Sequence, residues 1–356
     1  MSAFFSDKYK SLTPYTPGEQ PQNRKYIKLN TNESPFPPSE KAVRLAAQEM
    51  LRCELYSDPQ CRGLVDKMSE VFGVEKDEVL MTNGSDEILN FAFMAFCDEK
   101  HPAAFADITY GFYPVFAQLN NIPYTEIPLK EDFTIDIADY IGINKTVFIA
   151  NPNAPTGIRL PRAEVEKIIA GNPNNIVVVD EAYIDFGGAE DSCVPLIHKY
   201  KNLLVTQTFS KSRSLAGARL GMGFACRELI ADLNTVKYST NPYNINRMTM
   251  AAGIGALSDE EYTRANCETI VRNRDYTTAE LTKRGFEVLP SGTNFVFARH
   301  ANVSGEKIYL DLKEKGVLVR HFKLERIKEF NRVTIGTKEQ MDAFLTALDE
   351  VLGGAQ

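Results

Sequence analysis

One lysine in this sequence stands where an amine could do covalent chemistry. In the segment 208–221, TFSKSRSLAGARLG, Lys211 follows Ser210 on a short loop after a strand-like run, and Arg219 comes eight residues later. An amine that attacks a carbonyl works best partly desolvated and close to other cations, where its neutral form is accessible. Ser210 and Arg219 are hydroxyl and guanidinium donors of the kind that bind a phosphate. Taken alone, the string reads equally well as a surface loop with ordinary basic residues. Its neighbours in the sequence weigh against that.

In 177–186, VVVDEAYIDF, Asp180 ends a β-branched run. A carboxylate at the end of a buried strand is costly unless a cation meets it. The protonated nitrogen of a heteroaromatic ring is such a cation, and Tyr183, three residues on, could reach an oxygen on the same ring. An Asp that caps the following turn would give the same string. In 82–89, TNGSDEIL, Ser85 and Asp86 open a helix whose free N–H groups form an anion site. An ordinary helix cap would also explain them. In 149–157, IANPNAPTG, a turn of Asn, Pro and Gly directly follows a strand.

These segments need a frame. Residues 1–38 contain Pro14, Pro17, Pro21, Pro35, Pro37 and Pro38 and read as an extended arm. A helix starts at Ser39, with Val43, Ala46, Ala47, Met50 and Leu51 on one face. Leu64, Val65, Met68, Val71 and Phe72 mark a second helix, and Ser85 opens a third. Strands are expected at 103–108, 123–128, 145–150, 176–181 and 202–208, with helices near 112–120 and 161–170 among them. The run Val177-Val178-Val179 suits a strand buried on both faces. The alternation predicts an α/β fold with a mostly parallel central sheet and function at the carboxyl ends of its strands. A charged helix over 259–284 leads to a small α+β unit, with strands at 286–290, 294–299, 317–322 and 332–336 and helices at 304–315 and 338–352. The expected organisation is an N-terminal arm (1–38), a large domain (39–265) and a small C-terminal domain (266–356).

A net charge of −7 argues against nucleic acid or an anionic membrane as a partner. The six cysteines are scattered without a C-x-x-C spacing and the four histidines lie far apart, so neither zinc nor redox chemistry is indicated and no metal is expected. The polar, Pro-rich N-terminus is unlike a signal sequence, and the apolar stretches are too short to span a bilayer. A cytoplasmic protein is expected.

Taken in order, N-G-S-D-E, Y-G-F-Y, N-P-N-A-P-T-G, D-E-A-Y-I-D-F and S-K-S-R-S-L-A-G-A-R-L-G resemble the fold-type-I pyridoxal-phosphate (PLP) aminotransferases. Within the class II subgroup they are similar to the histidinol-phosphate aminotransferases. The likeness runs from Leu12 to about Thr337. It implies that Lys211 is the Schiff-base lysine and proton shuttle, Asp180 the partner of the ring nitrogen, and Tyr183 a donor to the ring oxygen O3′. Ser85, Asp86, Ser210 and Arg219 would bind the cofactor phosphate, and Tyr110 would stack on the ring. Tyr56 would reach the cofactor of a neighbouring subunit, which implies a homodimer with shared active sites. Arg332 would grip the anionic end of the substrate with Arg320 nearby, and Tyr15 would line the entrance.

One position departs from the family. The Asn that directly precedes Pro-Thr-Gly is here Ala154, so the resemblance leaves O3′ to Asn153, one residue earlier, or to Tyr183 alone. The implied reaction moves an amino group from histidinol phosphate, a small-molecule amine donor, to 2-oxoglutarate. An aromatic amino-acid transaminase, a threonine-phosphate decarboxylase and a binding protein without catalysis are the competing readings of the same scaffold.

Overall fold

The computed structural model describes Ser2 and residues 4–353; Met1, Ala3 and residues 354–356, at the ends of the expected arm and small domain, lie outside the described residues. After the arm and a short strand β1 (Ile27–Lys28), Ser39 accepts from the Ala42 N–H and caps α1 (Glu40–Met50). Then follow α2 (Arg62–Phe72), β2 (Val79–Thr82), α3 (Ser85–Phe96), β3 (Ala103–Ala106), α4 (Tyr113–Leu119), β4 (Tyr124–Ile127), β5 (Thr146–Ala150) and α5 (Arg162–Gly171). The chain continues through β6 (Val177–Asp180), β7 (Leu203–Thr208), β8 (Gly221–Ala225), α6 (Arg227–Thr240), α7 (Arg247–Leu257) and α8 (Glu260–Lys283). The last part comprises β9 (Phe286–Val288), β10 (Phe295–His300), α9 (Gly305–Glu314), β11 (Val317–Leu318), β12 (Arg320–His321), β13 (Phe330–Thr334) and α10 (Lys338–Gly353).

Seven strands form the central sheet in the order β2-β8-β7-β6-β5-β3-β4. Only β8 runs antiparallel to its neighbours; the pairs from β7 to β4 are parallel. The fold is therefore the α/β architecture with a mostly parallel sheet that the alternation predicts. β6 shows why its sequence is uniformly apolar. Val177 and Val179 pack into one core with α2 and α5, while Val178 packs into the other with α3 and α4. Both faces are covered, so no polar residue is tolerated until the strand ends at Asp180.

A second sheet, β12-β13-β10-β9, is antiparallel throughout and packs against α9 and α10. The arm does not stay apart from it. β1 pairs parallel with β11, Leu29 is buried in that core, and the Thr334 N–H donates to the Leu29 carbonyl at 2.9 Å. The boundary expected at residue 265 falls inside α8.

Several elements differ from expectation. β1, β2, β8, α6 and α7 have no counterpart in the sequence reading. The first helix is present, but the face carrying Val43, Met50 and Leu51 is exposed, and among α1 residues only Ala42 is buried. α1 turns Ala42 toward α7 instead, where Gly255 leaves room: an added Cβ there would lie 2.5 Å from the Ala42 Cα. Among the described residues, no helix is long and apolar enough to cross a membrane.

Candidate active site

The central strands end on a cavity lined by Ser85, Asp86, Tyr110, Ala154, Asp180, Tyr183, Thr208, Ser210, Lys211 and Arg219, with Ala150, Pro152 and Ala182 completing the wall. Segments more than a hundred residues apart meet here because β5, β6 and β7 are adjacent and parallel, so their carboxyl ends share one edge. The lysine loop and the aspartate loop are tied directly. Ser212 and Arg213 both donate to Asp185, the Arg213 contact at 3.2 Å.

Asp180 is 5% exposed and its surroundings are unbalanced. One carboxylate oxygen accepts from the Tyr113 hydroxyl at 3.1 Å, while Oδ1 is buried and has no hydrogen-bond partner among the described residues. Burial pushes its pKa up to about 7, the Tyr113 bond opposes this, and nearby Asp86 adds to it. A buried acceptor oxygen without a donor is expensive. A ring N–H delivered into this cavity would satisfy it, so the residues present fit a protonated pyridine.

The phosphate end is equally well prepared. Gly84 precedes α3 with φ 80°, and the first-turn N–H groups of Ser85 and Asp86 have no partner within the helix. Arg219, itself at φ 56°, donates to Ser210 Oγ at 3.3 Å and to Asp86 Oδ2 at 3.2 Å. The other Asp86 oxygen accepts from the Tyr110 hydroxyl at 2.6 Å. The Asp86 carboxylate thus holds Arg219 and Tyr110 in place. Its backbone N–H, not its side chain, is what an anion could use. Gly221 lets β8 lie against this corner: an added Cβ would collide with the backbone of Gly84 and Ser85.

Lys211 stands on the wall between this cavity and a larger one of about 620 Å³. Its Nζ donates to the Thr31 carbonyl at 3.4 Å and lies 5.7 Å from the centre of the Tyr183 ring. The larger cavity is lined by the arm (Thr13 to Gly18), by Tyr110, and by Arg320 and Arg332 of the small sheet. Tyr15 stacks on Phe112 with centroids 4.5 Å apart. Arg332 packs between Phe295 and Phe322, gives one bond to the Asn30 carbonyl at 3.2 Å, and leaves Nε without a partner among the described residues. Burial lowers its pKa, and among the described residues no carboxylate pairs with it. Arg320 donates to the carbonyls of Thr16 and Pro17, at 3.0 and 3.2 Å, and so holds the arm across the opening.

Two expected residues lie elsewhere. Asn153 does not line the cavity, because its amide is spent on the fold: Oδ1 accepts from Thr109, and Nδ2 donates to the Ile108 carbonyl and to Thr156, all within 3.0 Å. The expectation that Asn153 replaces the missing amide at Ala154 is therefore corrected. Tyr56 is 81% exposed, stacked on Tyr243, and lines neither cavity of its own chain. Conversely, Tyr113, Thr208 and the segment Asn30 to Asn32 belong to the site without having been assigned to it. Tyr113 is the last residue of Y-G-F-Y and Thr208 the first of TFSKSRSLAGARLG, but neither they nor Asn30 to Asn32 had been given a role.

Fold and site together define an enzyme built around a lysine amine and an anion cradle. The sequence model of the family described as aminotransferase class I and II matches residues 24–348, and the chain belongs to that family. Among its relatives are the histidinol-phosphate aminotransferases of Brachyspira hyodysenteriae, 48% identical over 355 residues with 99% of each chain covered, and of a Marinomonas species, 48% identical over 352 residues with 98% and 99% covered. At that similarity the chain is a member of the histidinol-phosphate aminotransferase group. The crystal structure of a histidinol-phosphate aminotransferase from Sinorhizobium meliloti, in complex with pyridoxal-5′-phosphate, has the same fold: TM-score 0.90, 22% identity, covering 100% of this chain and 99% of the other.

Proposed function

We propose that the protein binds PLP at Lys211 and transfers the amino group of histidinol phosphate to 2-oxoglutarate, giving imidazole-acetol phosphate and glutamate, a step of histidine biosynthesis. The observation that carries this reading is the position of Lys211. It is shared by two cavities, one ending on Asp180 Oδ1 and the other on the Arg332 guanidinium, whose Nε, like Asp180 Oδ1, has no partner among the described residues. When bound, PLP supplies an electron sink for the pair released as the substrate Cα–H bond breaks. Asp180 Oδ1 would hold the proton on its ring nitrogen, and that positive charge would in turn keep Asp180 ionised. Ser210, Arg219 and the N–H groups of Ser85 and Asp86 would hold the cofactor phosphate, Tyr110 would cover the ring, and Tyr183 would donate to its oxygen. The Lys211 amine, on the wall between the two cavities, would take the proton from the substrate Cα.

Arg332, with Arg320 beside it, receives the anionic end of each substrate in turn. A guanidinium fork suits both a phosphate monoester and a carboxylate. The exposed apolar side chains Val43, Met50, Leu51, Leu55 and Tyr56 support a homodimer in which a second copy covers this face and Tyr56 reaches the partner's cofactor. The six unpaired cysteines support a cytoplasmic setting. The small antiparallel sheet with α9 and α10 acts as the small domain, beginning near residue 266.

A coupled assay of the purified protein tests the donor: histidinol phosphate, phenylalanine and tyrosine are each offered with 2-oxoglutarate. Faster turnover of histidinol phosphate supports the proposal. Equal rates on all three donors would replace it with a broad aromatic transaminase, and release of CO2 without a keto product would replace it with a lyase.

A further inference from the structure

With alanine at position 154 and the Asn153 amide engaged elsewhere, the ring oxygen of the cofactor is left to Tyr183, the cavity-lining hydroxyl that the family resemblance assigns to it. A single hydroxyl is a weak guarantee, because its proton can rotate to any nearby acceptor. The structure restricts that choice. Asn32, 1% exposed and at φ 57°, donates from Nδ2 to the Tyr183 oxygen at 2.9 Å.

The direction of that bond follows from counting protons. The Asn32 backbone N–H donates to Thr334 Oγ1 at 2.9 Å, so the single Thr334 hydroxyl proton is free to go to Asn32 Oδ1, 3.0 Å away. This leaves the NH2 end of the Asn32 amide facing Tyr183. The Asn32 carbonyl is held as well, accepting from Asn294 Nδ2 at 2.9 Å. The Tyr183 oxygen therefore acts as an acceptor on its Asn32 side, and among the described residues its own proton has no protein acceptor. Accepting one hydrogen bond also makes a hydroxyl a stronger donor of the next.

We infer that Asn32 is a positioning residue: acting through Tyr183, it directs a phenolic proton onto the ring oxygen of the cofactor and so substitutes for the amide absent at position 154. This rests on the proposal that Lys211 carries PLP. A proton donated to the ring oxygen favours its anionic form and lowers the pH at which the lysine-linked cofactor loses its own proton.

The experiment is a pH titration of the visible absorbance of the PLP-loaded enzyme, compared across wild type, Asn32→Ala, Asn32→Asp, Tyr183→Phe and the Asn32→Ala/Tyr183→Phe double variant. The midpoint rises by about one pH unit in Asn32→Ala, the size expected for one weakened hydrogen bond to an ionised group. Asn32→Asp raises it at least as far, because a carboxylate takes the Tyr183 proton for itself; it also preserves the side-chain shape, so the test survives if the alanine variant does not fold. In the Tyr183→Phe background, Asn32→Ala adds nothing. A wild-type midpoint in both Asn32 variants, or an undiminished Asn32→Ala shift in the Tyr183→Phe background, overturns the inference. A Lys211→Ala variant that still shows the lysine-linked absorbance, or a wild type that never develops it, sinks the cofactor assignment and this inference with it.

Discussion

Asp180→Asn in the cofactor-free protein should stabilise the fold while it damages the enzyme. The buried carboxyl is raised from 3.8 to about 7, so the folded state disfavours its ionised form. The folded protein then holds a proton that the unfolded chain has already released. Stability tied to this group is complete below pH 4 and is lost as pH rises toward 7. At about 1.36 kcal/mol per unit, the loss at pH 8 is on the order of 4 kcal/mol. Asparagine keeps the acceptor for Tyr113 and removes the ionisation. Glu181, also buried and pushed up to about 7, is present in both proteins and itself adds to the rise at Asp180, so part of the gain in the variant is relief of that repulsion. Urea unfolding of the cofactor-free forms at pH 5 and pH 8 is the assay. The variant should gain about two to three times more stability over wild type at pH 8 than at pH 5, whereas its loaded activity falls by at least about 100-fold. Equal stability of the two proteins at pH 8 would refute the claim that Asp180 waits, unsatisfied, for a cation.

Further outcomes follow from the same geometry. Lys211→Ala should lower turnover by about 100-fold to 10,000-fold, measured as glutamate formed from 2-oxoglutarate, with little change in melting temperature. Arg332→Ala should raise the KM for anionic donors by about 30-fold or more, since one partner of a desolvated charge pair is removed; initial-rate kinetics read this directly. Gly221→Ala forces a Cβ into the backbone of Gly84 and Ser85 and should cost about 1–3 kcal/mol in urea unfolding, with weaker cofactor retention on dialysis.

What could be seen in the sequence, and what could not, follows from the range of the interactions. Lys211, Asp180, Ser85 and Arg219 lie in short segments whose composition is dictated by the site itself, so their spacing is informative. Val177 to Val179 announced a strand buried twice because both cores act on consecutive residues. β8 carried no such signal: GMGFA is short and contains two glycines, and it is a strand because β2 and β7 leave a place between them. α7 is apolar nearly all round and holds Gly253 and Gly255 for close packing, so neither periodicity nor helix propensity marks it.

The α1 pattern was real, but an apolar stripe does not reveal whether its partner lies in the same chain. Asn153 was misjudged because the fate of its amide is decided by Ile108 and Thr109, which are 45 and 44 residues away. The same distance effect hid Asn32, whose partners are Tyr183, in the loop after β6, and Thr334, at the end of β13, 151 and 302 residues along the chain.

Reduction of the PLP-loaded protein with borohydride, followed by mass mapping of its peptides, locates the amine that holds the cofactor. The phosphopyridoxyl group should appear on the peptide containing Lys211, and prior incubation with histidinol phosphate alone should prevent the labelling by converting the cofactor to its free amine form. Label on a different lysine, or labelling of Lys211 unaffected by the amine donor, would contradict the account.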